Sequence, residues 1–111
     1  MLGSLATLDE LRGEVRDVVR AVSSIVRAAL RDPIFRVVLF GSWATGQARP
    51  RSDIDIGIDG PEPVDARVLA EIRDSVDRLP TLYTVDLVDL CLASPEVRRH
   101  ALGHCVKVGG E

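Results

Sequence analysis

Helices and strands alternate along this sequence, which predicts an α/β (α+β) fold: a small mixed sheet of about four strands with helices packed on it. Three observations carry that expectation. Apolar residues recur at three- and four-residue spacing in long stretches, short β-branched or alternating runs lie between them, and Gly, Pro and Ser punctuate the joints. With 46% hydrophobic and 28% charged residues, the 111-residue chain has the composition of a packed protein rather than a disordered one. That length amounts to a single domain, expected to run over 1–111.

The first element is an amphipathic helix predicted over 7–32. Thr7 and Glu10 have the spacing of a capping box, and Leu8, Leu11, Val15, Val18, Val19, Val22, Ile25, Val26, Ala29 and Leu30 make one apolar stripe. That stripe is read as core, with part of it open to a partner or to a second copy in a homo-oligomer. Asp32-Pro33 ends the helix, because a residue preceding proline is pushed out of the helical region. The run 35–40, FRVVLF, is then a buried strand, and GSWATGQARPRS is a loop with one helical turn near 42–46. In 53–59, DIDIGID, polar and apolar residues alternate. This is a strand with Ile54, Ile56 and Ile58 on one face and Asp53, Asp55, Gly57 and Asp59 on the other. After the turn Gly60-Pro61-Glu62-Pro63 a second amphipathic helix spans 64–79, with Val68, Leu69, Ile72, Val76 and Leu79 inward. A third strand follows over 84–92, TVDLVDLCL. Ser94-Pro95-Glu96 opens a short helix in the preferred order of cap, proline and acid, Gly103 closes it, and 105–108 is a final short strand.

Fourteen basic against seventeen acidic residues give a net charge of −3, so a broad electrostatic grip on nucleic acid is not expected. A polyanion would have to be held locally, through a metal. Two cysteines, Cys91 and Cys105, read as reduced thiols. His100 and His104, four apart on the last helix, with Cys105 and Cys91, lack the paired close spacings of a zinc site and are read as surface residues. No basic region followed by an apolar run opens the chain, and no stretch approaches the roughly 20 apolar residues of a membrane span, so a cytoplasmic location without membrane contact is expected.

The chemistry concentrates in 39–58, LFGSWATGQARPRSDIDIGI, where a buried strand ends in Gly41-Ser42 and, ten residues later, Asp53 and Asp55 sit two apart on the next strand. Alternate residues of a strand project to one face about 6.6–7 Å apart. Two carboxylates so placed can clasp divalent ions about 3.5–4 Å from each other, and oxygen-only ligands favour Mg²⁺. Glycine permits a tight turn off a strand, and the backbone donors of the following turn, with the serine hydroxyl, suit phosphate oxygens.

Gly-Ser, ten residues, then Asp-x-Asp resembles the signature of the DNA polymerase β-like nucleotidyltransferase superfamily, and FGSWATGQARPRSDIDIGI in a chain of this length is similar to its minimal nucleotidyltransferase (MNT) branch. Many members of that branch are the antitoxin of a HEPN/MNT toxin–antitoxin pair. The resemblance runs from the N-terminal helix through VDLVDL to the last residues. It implies the polymerase β-like nucleotidyltransferase fold, with Gly41 and Ser42 holding the β- and γ-phosphates of ATP and with Asp53 and Asp55 binding two Mg²⁺ ions. It also implies a third catalytic and metal-binding carboxylate on a later strand. Asp86 and Asp89 are the candidates, they point to opposite faces by parity, and the family match favours Asp86.

The implied activity is transfer of AMP from MgATP to a hydroxyl, a tyrosine of a cognate HEPN ribonuclease toxin being the expected acceptor. One alternative is an antitoxin that neutralises by binding alone, its nucleotide site vestigial. Another is nucleotidylation of a small molecule such as an aminoglycoside, disfavoured because kanamycin nucleotidyltransferase adds a helical domain that this chain lacks. One departure stands out: many relatives carry arginines between Ser42 and the second glycine, where this chain has Trp43, Ala44 and Thr45. Arg49 and Arg51 could contact triphosphate or be solvated, and Trp43 could stack near the nucleotide or pack against the sheet.

Overall fold

The computed structural model describes residues 7–108. Its elements, in chain order, are a 3-10 turn Leu8–Glu10, α1 Gly13–Ala29, β1 Arg36–Phe40, α2 Ser42–Thr45, β2 Ile54–Asp59, α3 Ala66–Asp77, β3 Val85–Asp89, α4 Pro95–Gly103 and β4 Val106–Val108. The four strands form one mixed sheet in the order β3-β2-β1-β4, with β1 antiparallel to β2 and β4, and β2 parallel to β3.

Two expected elements need correcting: the strand expected over 84–92 ends at Asp89, with residues 90–92 forming a turn, and the first helix is broken. The helix predicted over 7–32 is two pieces, since Leu11 is extended (φ −79°, ψ 154°) between the 3-10 turn and α1, and the Thr7 side chain makes no capping hydrogen bond. An unbroken helix would have held Gly13, its poorest helix former, in the interior. The break instead places Gly13 at the start of α1 and turns Leu11 into the core. Of the rest of the stripe, Val15, Val19, Val22 and Val26 are buried, Val18, Ile25 and Leu30 are partly buried, and Ala29, the last residue of α1, is exposed.

The main core lies on the sheet face that carries Ile54, Ile56 and Ile58. These meet Val37 and Leu39 of β1, Leu87 of β3, the α1 valines, and Leu69, Ile72 and Val76 of α3. Asp65 starts α3 by accepting from the amides of Arg67 and Val68 at 2.9 and 3.3 Å, two residues inside the expected bounds. Ser94 caps α4 through the Val97 amide at 3.2 Å, with Pro95 in the first turn, as its sequence predicts. Arg73 of α3 donates to the Leu87 carbonyl at 3.1 Å and so blunts the outer edge of β3.

Alternation in β2 does not leave the opposite face uniformly polar. Its lower half carries a second, smaller core of Val38, Leu90 and Ala101, covered by α4. Gly57 makes this possible, because a Cβ there would lie 2.6 Å from Leu90 Cδ1. Asp59, further down, pairs with Arg98 of α4 at 3.3 Å. Among the described residues no helix is long and apolar enough to cross a membrane.

Candidate functional site

The open half of that face holds three carboxylates. Asp55 of β2 stands directly opposite Asp86 in the parallel β2–β3 register and opposite Phe40 in the antiparallel β1–β2 register. Neighbouring strands lie about 4.7–4.9 Å apart, so Asp55 and Asp86 project side by side. Asp53 stands one position before β2, two residues ahead of Asp55 on the same side. Asp53 and Asp86 are exposed, while Asp55, between them, is half-buried.

The cluster has an electrostatic signature. The Asp55 carboxyl is raised from 3.8 to about 6 by burial first, then by the negative charges of Asp86 and Asp53. The donor set is all oxygen and short of positive charge, which fits a hard divalent cation rather than a soft one. Among the described residues no group of three His, Cys, Asp or Glu side chains is already gathered as a metal cage.

Gly41 and Ser42 meet the carboxylates from β1. Gly41 takes φ +75° and ψ −157°, a region essentially closed to residues with a Cβ. A Cβ there would lie 2.1 Å from Asp55 Oδ2, so the missing side chain is the space that the Asp55 carboxylate fills. The Gly41 carbonyl accepts from Ala44 and Thr45 at 3.0 and 3.1 Å, closing the single turn of α2, while the first amides of any such turn have no intrahelical partner. Sequence reasoning identified Gly41 for its turn. The steric fit against Asp55 is a long-range contact that no local pattern signals.

The other candidates separate. Asp89 is 4% exposed on the core side of β3, and its two oxygens accept from the amides of Val64 at 2.8 Å and Cys91 at 3.0 Å. It ties the β2–α3 loop to the end of β3 and lies away from Asp55. Removing it leaves two amides without their acceptor, at about 1–2 kcal/mol each. Asp89→Ala is therefore expected to lower unfolding free energy by about 2–4 kcal/mol in a urea titration; a loss below about 1 kcal/mol would contradict this structural role.

Trp43 is 8% exposed, its ring edge-on to Tyr83 with centroids 6.1 Å apart, so it packs within the protein. Arg49 and Arg51 are exposed, and the Arg49 amide donates to Ser52 Oγ at 2.8 Å. His100 and His104 lie exposed on α4 and in the residue that follows it, and Cys91 and Cys105 are free thiols. A hollow of about 730 Å³ between the 3-10 turn, α1 and β4 contains none of the three carboxylates. They sit on an open face instead.

Comparison with known proteins identifies the family and the fold. A sequence profile of the family described as "Polymerase beta, Nucleotidyltransferase" matches residues 25–108. No curated protein matches. Among solved structures, a chain of a mutant toxin–antitoxin complex MntA-HpeT is 23% identical, with 84% of this chain and 73% of that chain covered and a TM-score of 0.63. A chain of the complex between tri-AMPylated Shewanella oneidensis HEPN toxin and MNT antitoxin is 22% identical, over 87% and 73%, at a TM-score of 0.63. A chain of a toxin–antitoxin complex with AMP-PNP is 26% identical, over 79% and 73%, at a TM-score of 0.53. The fold is that of polymerase β-like nucleotidyltransferases.

Proposed function

Because the chain belongs to the polymerase beta nucleotidyltransferase family, we propose that it is an MNT antitoxin that transfers AMP from MgATP to a hydroxyl of a HEPN-class toxin, a tyrosine being the expected acceptor. The observation that carries this reading is the register of β2 and β3, which sets Asp55 beside Asp86 with Asp53 on the same side and Gly41 in contact with Asp55. The structural neighbours support the partner class, one being a complex with an AMPylated HEPN toxin and another a complex with AMP-PNP.

In this mechanism Gly41 and Ser42 hold the β- and γ-phosphates at the turn that follows β1. Asp53, Asp55 and Asp86 would hold two Mg²⁺ ions, which would supply charge neutralisation at the triphosphate and a lowered pKa at the acceptor hydroxyl. The acceptor hydroxyl gives up its proton to solvent at the open face, its oxygen bonds to the α-phosphorus, the bond from that phosphorus to the β-phosphate bridging oxygen breaks, and pyrophosphate departs. Asp86, exposed on the edge strand, faces the side from which a second polypeptide can approach. An open face rather than a deep pocket suits an acceptor that is itself a protein side chain.

The test is intact-mass analysis of the toxin co-expressed with this chain. The wild-type protein is expected to add whole AMP units. Asp53→Ala, at an exposed position, is expected to stay folded and to slow the addition by at least about 100-fold, as loss of one group stabilising transition-state charge commonly does. Neutralisation of a toxin whose mass never changes would overturn the enzymatic reading in favour of masking by binding.

A further inference from the structure

We infer that Trp43 is a positioning residue, a brace that spans the ten-residue spacer of the motif from its first residue to its last and fixes the phosphate-binding turn against the first aspartate. The inference rests on the reaction proposed above, but the brace itself is a matter of geometry. Trp43 directly follows Ser42, and its indole Nε1 donates to the carbonyl of Ser52, the residue directly before Asp53, at 2.9 Å. One side-chain bond thus joins the two halves of the site across nine positions.

Both ends of the brace are held. At one end α2 is closed by the Gly41 carbonyl, and the Gln47 amide donates to the Ser42 carbonyl at 3.0 Å. The indole is buried, with the Tyr83 ring edge-on to it and the N–H bonded to Ser52 instead. At the other end, the Ser52 amide donates to the Arg49 carbonyl at 3.0 Å and the Ser52 hydroxyl accepts from the Arg49 amide at 2.8 Å. The Ile54 amide then donates to the Thr84 carbonyl at 2.9 Å, which starts β2 beside β3. Asp53 lies between two anchored residues, and the Trp43 bond ties Ser52 to the residue that follows Ser42. Trp43 is packed in the core and does not itself face the open site, but its bond to Ser52 sets the distance between the groups that do.

The role predicts a split between binding and rate. Without the N–H each half keeps its own groups, so nucleotide still binds, but their mutual placement loosens, and displacement on the order of 1 Å costs up to about 100-fold in rate. Two replacements remove the donor: Trp43→Phe, and 3-benzothienylalanine at position 43, which keeps the shape of the indole. Tyr83→Leu serves as the control, since it removes the packed ring and leaves the hydrogen bond.

In toxin modification, both Trp43 replacements are expected to lower kcat by about 10-fold or more with KM for MgATP changed by less than about 3-fold, while Tyr83→Leu keeps kcat within about 2-fold. Hydrogen exchange of the full-length protein gives a readout independent of activity. The Ser52 and Ile54 amides are expected to exchange at least about 10-fold faster in the Trp43 variants, with the α3 amides unchanged. Unchanged exchange at Ser52 and Ile54, or a kcat loss in Tyr83→Leu equal to that of Trp43→Phe, overturns the brace. Faster exchange in a protein whose wild type transfers no AMP leaves the brace standing and removes the proposed reaction.

Discussion

Asp55→Asn is expected to make the ligand-free protein more stable and, at the same time, nearly inactive. Asp55 sits half-buried between Asp53 and Asp86, and burial together with their charges raises its carboxyl from 3.8 to about 6. The folded state therefore binds this proton more tightly than the unfolded chain does. Below pH 3.8 the carboxyl is protonated in both states and contributes no difference. As pH rises from there to about 6, the unfolded chain ionises first and stability falls; above pH 6 the full penalty persists. At about 1.4 kcal/mol per unit the shift corresponds to no more than about 3 kcal/mol, reduced to about 1–2 kcal/mol by solvent screening at a partly exposed site.

Asparagine keeps the shape and removes the charge. Melts at pH 7.5 should show the variant several degrees above wild type, at roughly 4–8 °C per kcal/mol for a domain near this size. The gap should close as pH is lowered from 6 toward 4. Added Mg²⁺ should raise the melting temperature of the wild type more than that of the variant, since a ligand that binds only the folded state stabilises it in proportion to its affinity. Transfer of AMP should fall by at least about 100-fold. A variant no more stable than wild type at pH 7.5 would show that the three carboxylates do not repel one another as their placement requires.

Gly41→Ala is expected to have the largest cost in folding. Its backbone conformation is one that a residue with a Cβ reaches only at about 1–3 kcal/mol, and the new methyl would lie 2.1 Å from Asp55 Oδ2, well inside any real contact. The two terms can be separated by a double-mutant cycle. With Asp55→Ala, the nearest remaining atom would be the residue-55 Cβ at 3.2 Å, a separation that small adjustments can relieve. We therefore expect Gly41→Ala to cost about 3–5 kcal/mol in the wild-type background and about 1–3 kcal/mol in the Asp55→Ala background, read by urea denaturation. Equal costs in the two backgrounds would mean that the backbone alone demands glycine and that Asp55 does not rest on it.

The Gly-Ser turn and the alternation of Asp-x-Asp in the candidate site were legible in sequence because each depends on local rules. Glycine after a strand, aspartates at alternate positions and proline before a helix impose themselves within a few residues. The break at Leu11 was less legible: the apolar stripe continues through it, and only Gly13 marks the weak point that packing of Leu11 then exploits. The second core was hidden for the opposite reason. Gly57 between two aspartates reads as part of a polar face, until Leu90, thirty-three residues later, is seen to fill the space above it.

The choice within VDLVDL shows where the boundary falls. Parity alone states that Asp86 and Asp89 face opposite sides of β3. Which side is the open one depends on β3 lying parallel to β2 with Asp86 opposite Asp55, and on Val64 and Cys91 offering their amides to Asp89. From sequence alone come the number and order of most elements, the apolar faces and the family signature, since period and chain-breaking chemistry act between near neighbours. Tertiary structure alone decides that Gly41 must make room for Asp55, that Trp43 braces the spacer rather than lying open to a nucleotide, and that α4 covers only half of the acidic face. Those outcomes depend on strand register and side-chain volume, which are fixed only when distant parts of the chain compete for the same space.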